Sequence, residues 1–367
     1  MTIAKLPVAT GKSDIKGYLP DELVEALAPL GIPAYRGKQI FSWLHRRLVH
    51  DFSVMTDLPA DLRTVLTNAF NITVLSKRHE DIAEDGTTKY LFALADGQCI
   101  ETVYIPEATR GTVCVSTMVG CPFGCTFCAT GQSGFTRNLT AAEIVDQVYR
   151  VQAALPEGRH VTNLVFMGMG EPLANYTNVL YAIRLLIHPQ GLNLAQRRIT
   201  VSTVGITPAM ERLADEGLQV NLALSLHAPS QEGRLKLLPI AKKYPLDGVM
   251  TAARQYVRRT GRKVTFEYTV VPGSNDTDED ARKLTELVRH LQCLVNVIPL
   301  NPTEGLPRGM RLSATELRAR AEHFVVTLRR HGVEASLRRS RGGEVAGACG
   351  QLRRRMENGV QASRRPR

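Results

Sequence analysis

Apolar positions along this chain follow two alternating rhythms. From about Gly111 onward there are short apolar runs of strand length: Thr112 to Thr117, Val161 to Met167, Ile199 to Thr203, Val220 to Leu226, Val264 to Val271, Leu294 to Pro299 and Val333 to Leu337. Between them, apolar residues recur at helical spacing. Helices are predicted from Thr140, near Asn178 and after Pro208, and over Leu246 to Arg258, Thr277 to Leu291 and Ser313 to Arg330. Thr140-Ala-Ala-Glu143 and Ser313-Ala-Thr-Glu316 have the spacing of a capping box, and Leu317, Ala321, Phe324 and Leu328 share one helical face. About six strand–helix units in series predict an α/β fold, a barrel or incomplete barrel, with functional residues where the strands end.

The first 72 residues have a different pattern. Pro20 opens a predicted helix over Asp21 to Leu30, Gly37 precedes one over Lys38 to Leu48, and Pro59 opens Ala60 to Ala69. Arg36, Lys38, Arg46, Arg47 and Arg63 lie on this small helical unit. Between Val74 and Pro106 the signals are strand-like: Lys89 to Leu94, a turn at Ala95-Asp96-Gly97, then Ile100 to Ile105, which predicts a hairpin or strand-rich connector. The division is therefore 1–72 (helical), 73–110 (connector), 111–340 (barrel-like) and 341–367 (a Gly/Arg-rich end).

Composition narrows the class. With 44% hydrophobic and 22% charged residues in 367, the chain can bury a full core and is neither a disordered tail protein, a collagen-like fibre nor a small disulfide scaffold. No run approaches the roughly 18 apolar residues that span a bilayer, and Met1 to Lys16 lacks a signal-peptide block, so a soluble, cytoplasmic protein without membrane contact is expected. The formal charge is +11, and +7 of it falls between Arg338 and Arg367, where nine arginines face Glu344 and Glu357. Such an end suits phosphate, with Arg338, Arg339 and Arg341 next to a strand the better placed and Arg364 to Arg367 equally explained as a solvated tail.

The cysteines carry the chemistry. There are seven, at 99, 114, 121, 125, 128, 293 and 349, an odd number that argues against a disulfide framework. Cys121, Cys125 and Cys128 form a C-x3-C-x2-C loop after a predicted strand. Three thiolates leave one iron of a four-iron cluster open, whereas structural zinc needs a fourth ligand, which His227 or another cysteine could supply. Gly168-Met-Gly170 is a tight turn that places a carboxylate, Glu171, beside a strand end, able to accept from an ammonium group. Taken alone, Ser202 and Ser225 read as strand-end hydroxyls, His227 as a packed histidine, Glu101 as an exposed strand carboxylate and Cys114 as an apolar cysteine. Cys349 sits among Gly342, Gly343, Gly347 and Gly350, with Arg341 and Arg353 as cations that favour its thiolate, or else is a spare thiol on a tail.

Together these residues resemble the radical S-adenosylmethionine (SAM) enzymes, and within them the RlmN/Cfr family of RNA methyltransferases. The resemblance is carried by Cys114-Val-Ser-Thr-Met-Val-Gly-Cys121, Cys125-Thr-Phe-Cys-Ala-Thr-Gly131, Gly134-Phe-Thr-Arg-Asn-Leu139, Gly168-Met-Gly-Glu-Pro-Leu173, Ser225-Leu-His227, Phe266-Glu267, Asn301-Pro302 and Ala348-Cys-Gly-Gln-Leu352. Tyr35-Arg-Gly-Lys-Gln-Ile-Phe41 and Met55-Thr-Asp-Leu-Pro59 look like the same family's accessory, RNA-binding domain, so only the first and last dozen residues fall outside. One departure is Glu344-Val345, where the family usually has Asp-Ile, with Gly347 at another variable position.

The resemblance implies a radical SAM partial (β/α)6 barrel that methylates C2 of adenosine in 23S rRNA and adenosine 37 of tRNA. It implies a [4Fe-4S] cluster on Cys121, Cys125 and Cys128, and SAM held by Gly170, Glu171, Ser202, Ser225, Leu226, His227 and Asn301. Cys349 is then the cysteine that is methylated and delivers carbon, Cys114 resolves the adduct through a transient disulfide, and Glu101 accepts a proton. Cys99 and Cys293 match no catalytic position. An electron donor such as flavodoxin and a monomeric state are expected. A base entering a barrel mouth must be unstacked, which favours loop adenosines. Two other readings stay open: Cfr-like methylation at C8, and a non-catalytic zinc RNA-binding protein.

Overall fold

The computed structural model describes residues 12–301 and 312–352, with the backbone of 355–356. Pro302, Arg353 and Arg364 to Arg367, singled out above, lie outside the described residues. A short strand β1 (Ser13–Asp14) leads to helices α1 (Pro20–Leu27), α2 (Ala34–His45) and α3 (Ala60–Ala69), and β2 (Phe70–Asn71) returns parallel to β1. Proline at the first helical position and Asp21 and Glu22 in the first turn favour the start of α1. Gly37, expected ahead of the second helix, lies inside it. A Cβ there would meet Val24 Cγ2 at 2.8 Å, so the glycine is what lets α1 and α2 approach.

The connector is an antiparallel meander, β3 (Ser76–Ile82), β4 (Thr88–Ala93) and β5 (Gln98–Pro106), and β6 (Gly111–Cys114) pairs antiparallel to β5. Here the expected strand to Thr117 stops early. The amides of Thr117 and Met118 both turn to Met169 O, at 2.7 and 3.2 Å, and the chain leaves the ladder. It forms a separate hairpin, β7 (Met118–Gly120) against β8 (Phe135–Asn138), which encloses the cysteine loop and a short helix α4 (Ala129–Gln132). Cys114 therefore ends its strand instead of starting the one that carries the cysteine loop.

The repeated units follow: α5 (Ala141–Ala154), β9 (Asn163–Phe166), α6 (Tyr176–Ile187), β10 (Ile199–Thr203), α7 (Thr207–Asp215) and β11 (Asn221–Ser225). Then come α8 (Gln231–Leu237), α9 (Leu246–Thr260), β12 (Val264–Val270), α10 (Asp278–Val288), β13 (Cys293–Pro299), α11 (Ala314–Arg330), β14 (Ala335–Leu337) and β15 (Arg355–Met356). The capping boxes at Thr140 and Ser313 both form. Helix α8, capped by Ser230, has too short an apolar pattern to stand out in the sequence.

The sheet order is β14-β13-β12-β11-β10-β9-β6-β5-β4-β3, with β15 on β5. Strands β6, β9, β10, β11, β12 and β13 are parallel, each followed by a helix, giving the six βα units of a partial barrel; β14 adds a parallel edge. Most of their residues are apolar and none is exposed, as a sheet covered by helices requires.

The core runs without a break from Ile15 to Leu352. A buried polar network fastens the N-terminal helices to α5. Lys16 Nζ meets Asp146 Oδ1 at 2.7 Å with both side chains almost fully buried, and Asp146 Oδ2 accepts from Leu75 N at 2.7 Å and Arg150 Nε at 3.2 Å. Nearby, His45 Nδ1 bonds the Tyr149 hydroxyl at 2.6 Å, and burial pushes the histidine down to about 3, so it is neutral. Asp146→Asn strands the Lys16 charge and should destabilise the fold by about 3 kcal/mol, the usual effect of breaking a buried pair. Urea unfolding measures it: a loss below about 1 kcal/mol would place the pair among surface-like bridges.

Candidate active site

The carboxyl ends of the parallel strands surround one cavity, and the cysteine loop forms its roof. Cys121, Cys125 and Cys128 line it together with Gly170 and Glu171 after β9, Ser202 on β10, Ser225 at the end of β11, and His227. Asn301 after β13 and Cys349 complete it. Ten of the thirteen residues singled out in the sequence thus face one space. Leu226 is fully buried beside it and contributes through its backbone, its amide donating to Glu267 O at 3.0 Å.

Each wall has a local cause. Gly170 has φ +102°, and a Cβ there would lie 2.6 Å from Met118 Cβ, so only glycine lets the turn after β9 lie against β7 and carry Glu171 inward. Glu171 Oε1 accepts from Leu173 N at 3.0 Å and Oε2 from Val204 N at 2.8 Å, yet burial still raises the carboxyl to about 7. A cation would be strongly favoured beside it. His227 is buried with φ +55°; its Nδ1 accepts from Thr269 N at 3.0 Å, and burial pushes it down to about 3. The ring is therefore neutral with its proton on Nε2.

The three loop thiols fit an iron–sulfur cluster. Burial pushes Cys121 up to about 12 and Cys125 well above its ordinary value, each with added repulsion from Cys128. They keep their protons until a strongly positive group meets them. The three thiols face a shared cavity, which leaves room for a polynuclear group between them.

A second cavity adjoins the first. Cys114, Glu107, Arg338, Arg339 and Arg341 line it, and Cys349, Asn301 and Arg338 belong to both. All described cysteines are free thiols, so the expected Cys114–Cys349 disulfide is not formed in this structure. Their environments are coupled, however: burial and then the Cys349 charge raise Cys114 to about 12, while Arg338 draws it down.

Arg338 is the residue the sequence did not place. Expected on a phosphate-binding surface, it turns inward, with Nη1 3.6 Å from Glu267 Oε2 and 3.5 Å from Met167 Sδ, and Asn296 Nδ2 braces the same Glu267 oxygen at 2.9 Å. It is the cation beside Cys349. Arg341, the expected one, points to Asp85 at 3.9 Å. The Cys349 thiol is open to the cavities, yet desolvation by their walls raises it overall against the pull of Arg338. Glu101 is also displaced from its simplest reading: it is buried, 3.6 Å from Lys89 Nζ, and lines neither cavity.

Comparison with known proteins agrees with this geometry. The Radical SAM superfamily pattern matches residues 115–285, and that of the ribosomal RNA large subunit methyltransferase N-terminal domain matches 14–72. The probable dual-specificity RNA methyltransferase RlmN of Symbiobacterium thermophilum is 46% identical over 95% of this chain and 93% of its own length. A Thermus thermophilus protein of the same description is 49% identical over 89% of this chain and 91% of its own. This chain belongs to the RlmN family. A crystal structure of a radical SAM methyltransferase from Sphaerobacter thermophilus, 47% identical, superposes with a TM-score of 0.88 over 93% of this chain and 99% of that one.

Membership in the RlmN family makes the protein a SAM-dependent RNA methyltransferase with a [4Fe-4S] cluster, and supplies the positive group that the cysteine loop needs. The RlmN motifs run from the cysteine loop through the strand ends to the C-terminal thiol. What they do not show is how the distant C-terminal thiol reaches the cavity, because that depends on backbone carbonyls and on Arg338. In the protein before cluster loading, Arg338→Met should slow alkylation of Cys349 at neutral pH severalfold, because a thiol without its neighbouring cation is less often the thiolate. Removing the cation raises the thiol, so the pH–rate profile moves upward; an unmoved profile would show that Arg338 does not act on Cys349.

Proposed function

We propose that this chain methylates C2 of adenosine in 23S rRNA and of adenosine 37 in tRNA through an S-methylcysteine at Cys349. The observation that carries this reading is the place of Cys349, in the wall between the cavity of the cluster cysteines and the arginine-lined cavity of Cys114. A carrier thiol needs access to both: one side to be loaded and activated, the other to meet the base.

When bound, the cluster supplies one electron to cleave SAM, and SAM supplies both the transferred methyl group and the means of removing a hydrogen atom from it. The protein's own residues do the rest. Cys121, Cys125 and Cys128 hold the cluster; Glu171 receives the amino group of SAM, and Gly170, Ser202, Ser225, Leu226, His227 and Asn301 shape the site around it. Cys349 first takes a methyl group at sulfur, losing its proton. Its carbon, less one hydrogen atom, then bonds to C2 and joins protein to RNA. Cys114, as thiolate, attacks the Cys349 sulfur and an S–S bond forms. The electron pair of the broken S–C bond stays on the carbon, which takes up a proton and leaves with the base as methyl. The adduct's odd electron would pass back to the electron-carrying cofactor, and the electron donor would reduce the disulfide. The family resemblance gives the proton removed from C2 to Glu101, which is buried beside Lys89 and lines neither cavity, so the proton would reach it by relay. Arg339 and Arg341 on the second cavity's wall suit the phosphates of an unstacked nucleotide.

The reading includes a flavodoxin-like electron donor, a monomer, and action in the cytoplasm; among the described residues no helix is long and apolar enough to cross a membrane. Its test is the fate of two single mutants purified from growing cells. Cys114→Ala should accept the methyl group, bond to adenine and stall as a protein–RNA adduct, seen as a ribonuclease-sensitive shift on denaturing gels. Cys349→Ala, and the double mutant, should run as free protein. A Cys114→Ala protein that carries no RNA and makes normal product would overturn the resolving role.

A further inference from the structure

The segment that carries Cys349 is held by three carbonyl groups. Cys349 O accepts from Asn301 Nδ2 at 3.0 Å, Gly350 O from Ala129 N at 2.8 Å, and Leu352 O from Thr130 Oγ1 at 2.6 Å. Two of the three donors belong to α4, which begins directly after the cluster cysteine Cys128. Thr130 itself is buried, lines the main cavity, and reaches 222 positions along the chain. On the other side the segment meets the β3–β4 turn: Arg341 faces Asp85, and Glu84 N donates to Glu344 Oε2 at 3.5 Å.

We propose that Thr130 is a positioning residue: its hydroxyl locks the Cys349 segment to the cluster loop and so sets the distance between the methyl-bearing sulfur and the site where SAM is cleaved. This rests on the carrier role given to Cys349 above. The physical reason is orientation. The neighbouring bonds at Cys349 and Gly350 alone leave the chain free to turn about that point; a further bond two residues on, from the same helix as the one at Gly350, removes that rotation. Valine has the shape of threonine without the donor, so Thr130→Val keeps the packing and deletes the lock. Serine keeps the donor.

The expected consequence is uncoupling. Cluster-loaded Thr130→Val should hold iron as the parent does and still cleave SAM, but yield several-fold less methylated RNA per SAM cleaved, with Thr130→Ser restoring the ratio. Independently of any activity, amide hydrogen exchange over Gly350 to Leu352 should rise roughly tenfold in Thr130→Val, the factor that one hydrogen bond of ordinary net strength sets. Unchanged exchange and an unchanged ratio in Thr130→Val would overturn the proposal, as would loss of iron that serine does not repair, which marks a purely structural threonine. If the parent protein makes no methylated RNA at all, the carrier reading fails, while the exchange comparison still decides whether Thr130 holds the segment.

Discussion

The proposed methyl transfer depends on one contact: the C-terminal segment lies hydrogen-bonded along the short helix that follows the cysteine loop. Gly350 and Leu352 are more than two hundred residues from Ala129 and Thr130, yet two bonds under 3 Å join them. The barrel alone would provide a place for cofactors. This contact adds a thiol to that place and leaves the other face of the thiol open to a second, arginine-lined space.

Charge is the second constraint. The main cavity holds three loop thiols and two buried carboxyls, Glu171 and Glu267, and burial raises both carboxyls. Such a set is uncomfortable without cations and comfortable with them. The cluster and the ammonium group of SAM are positive charges of the right kind, and Arg338 is a cation that the chain supplies itself, shared by Glu267, Cys349 and Cys114. The same logic governs the buried Lys16–Asp146 pair, where the N-terminal helices are fixed to α5 by a partner that neither side can lose.

Much of this is legible in the sequence. The strand and helix rhythm locates the βα units because a parallel sheet covered by helices demands apolar strands, and the thiol spacing and the Gly-Glu turn mark the cavity. The misplacements have physical reasons. The strand expected to reach Thr117 stops short because the Gln147 side chain takes the Ser116 amide and Met169 O takes those of Thr117 and Met118. Arg338 reads as a surface cation because its partner, Glu267, lies on a distant strand, and pairing across strands leaves no local pattern. Gly37 reads as a helix boundary, whereas it marks a close approach of two helices. The clip by Thr130 is invisible in the sequence because its acceptor is a backbone carbonyl, which every residue has. The Glu344-Val345 departure is absorbed in place: Glu344 caps an amide of the β3–β4 turn, and Val345 packs beside the flanking glycines.

The most direct measurement is mass spectrometry of nucleosides from 23S rRNA and tRNA of cells lacking the protein and cells in which it is restored. The expected result is loss of 2-methyladenosine from both RNAs and its return with the intact chain but not with Cys349→Ala. Appearance of 8-methyladenosine instead, or 2-methyladenosine made without Cys349, would contradict a C2 transfer carried on that thiol.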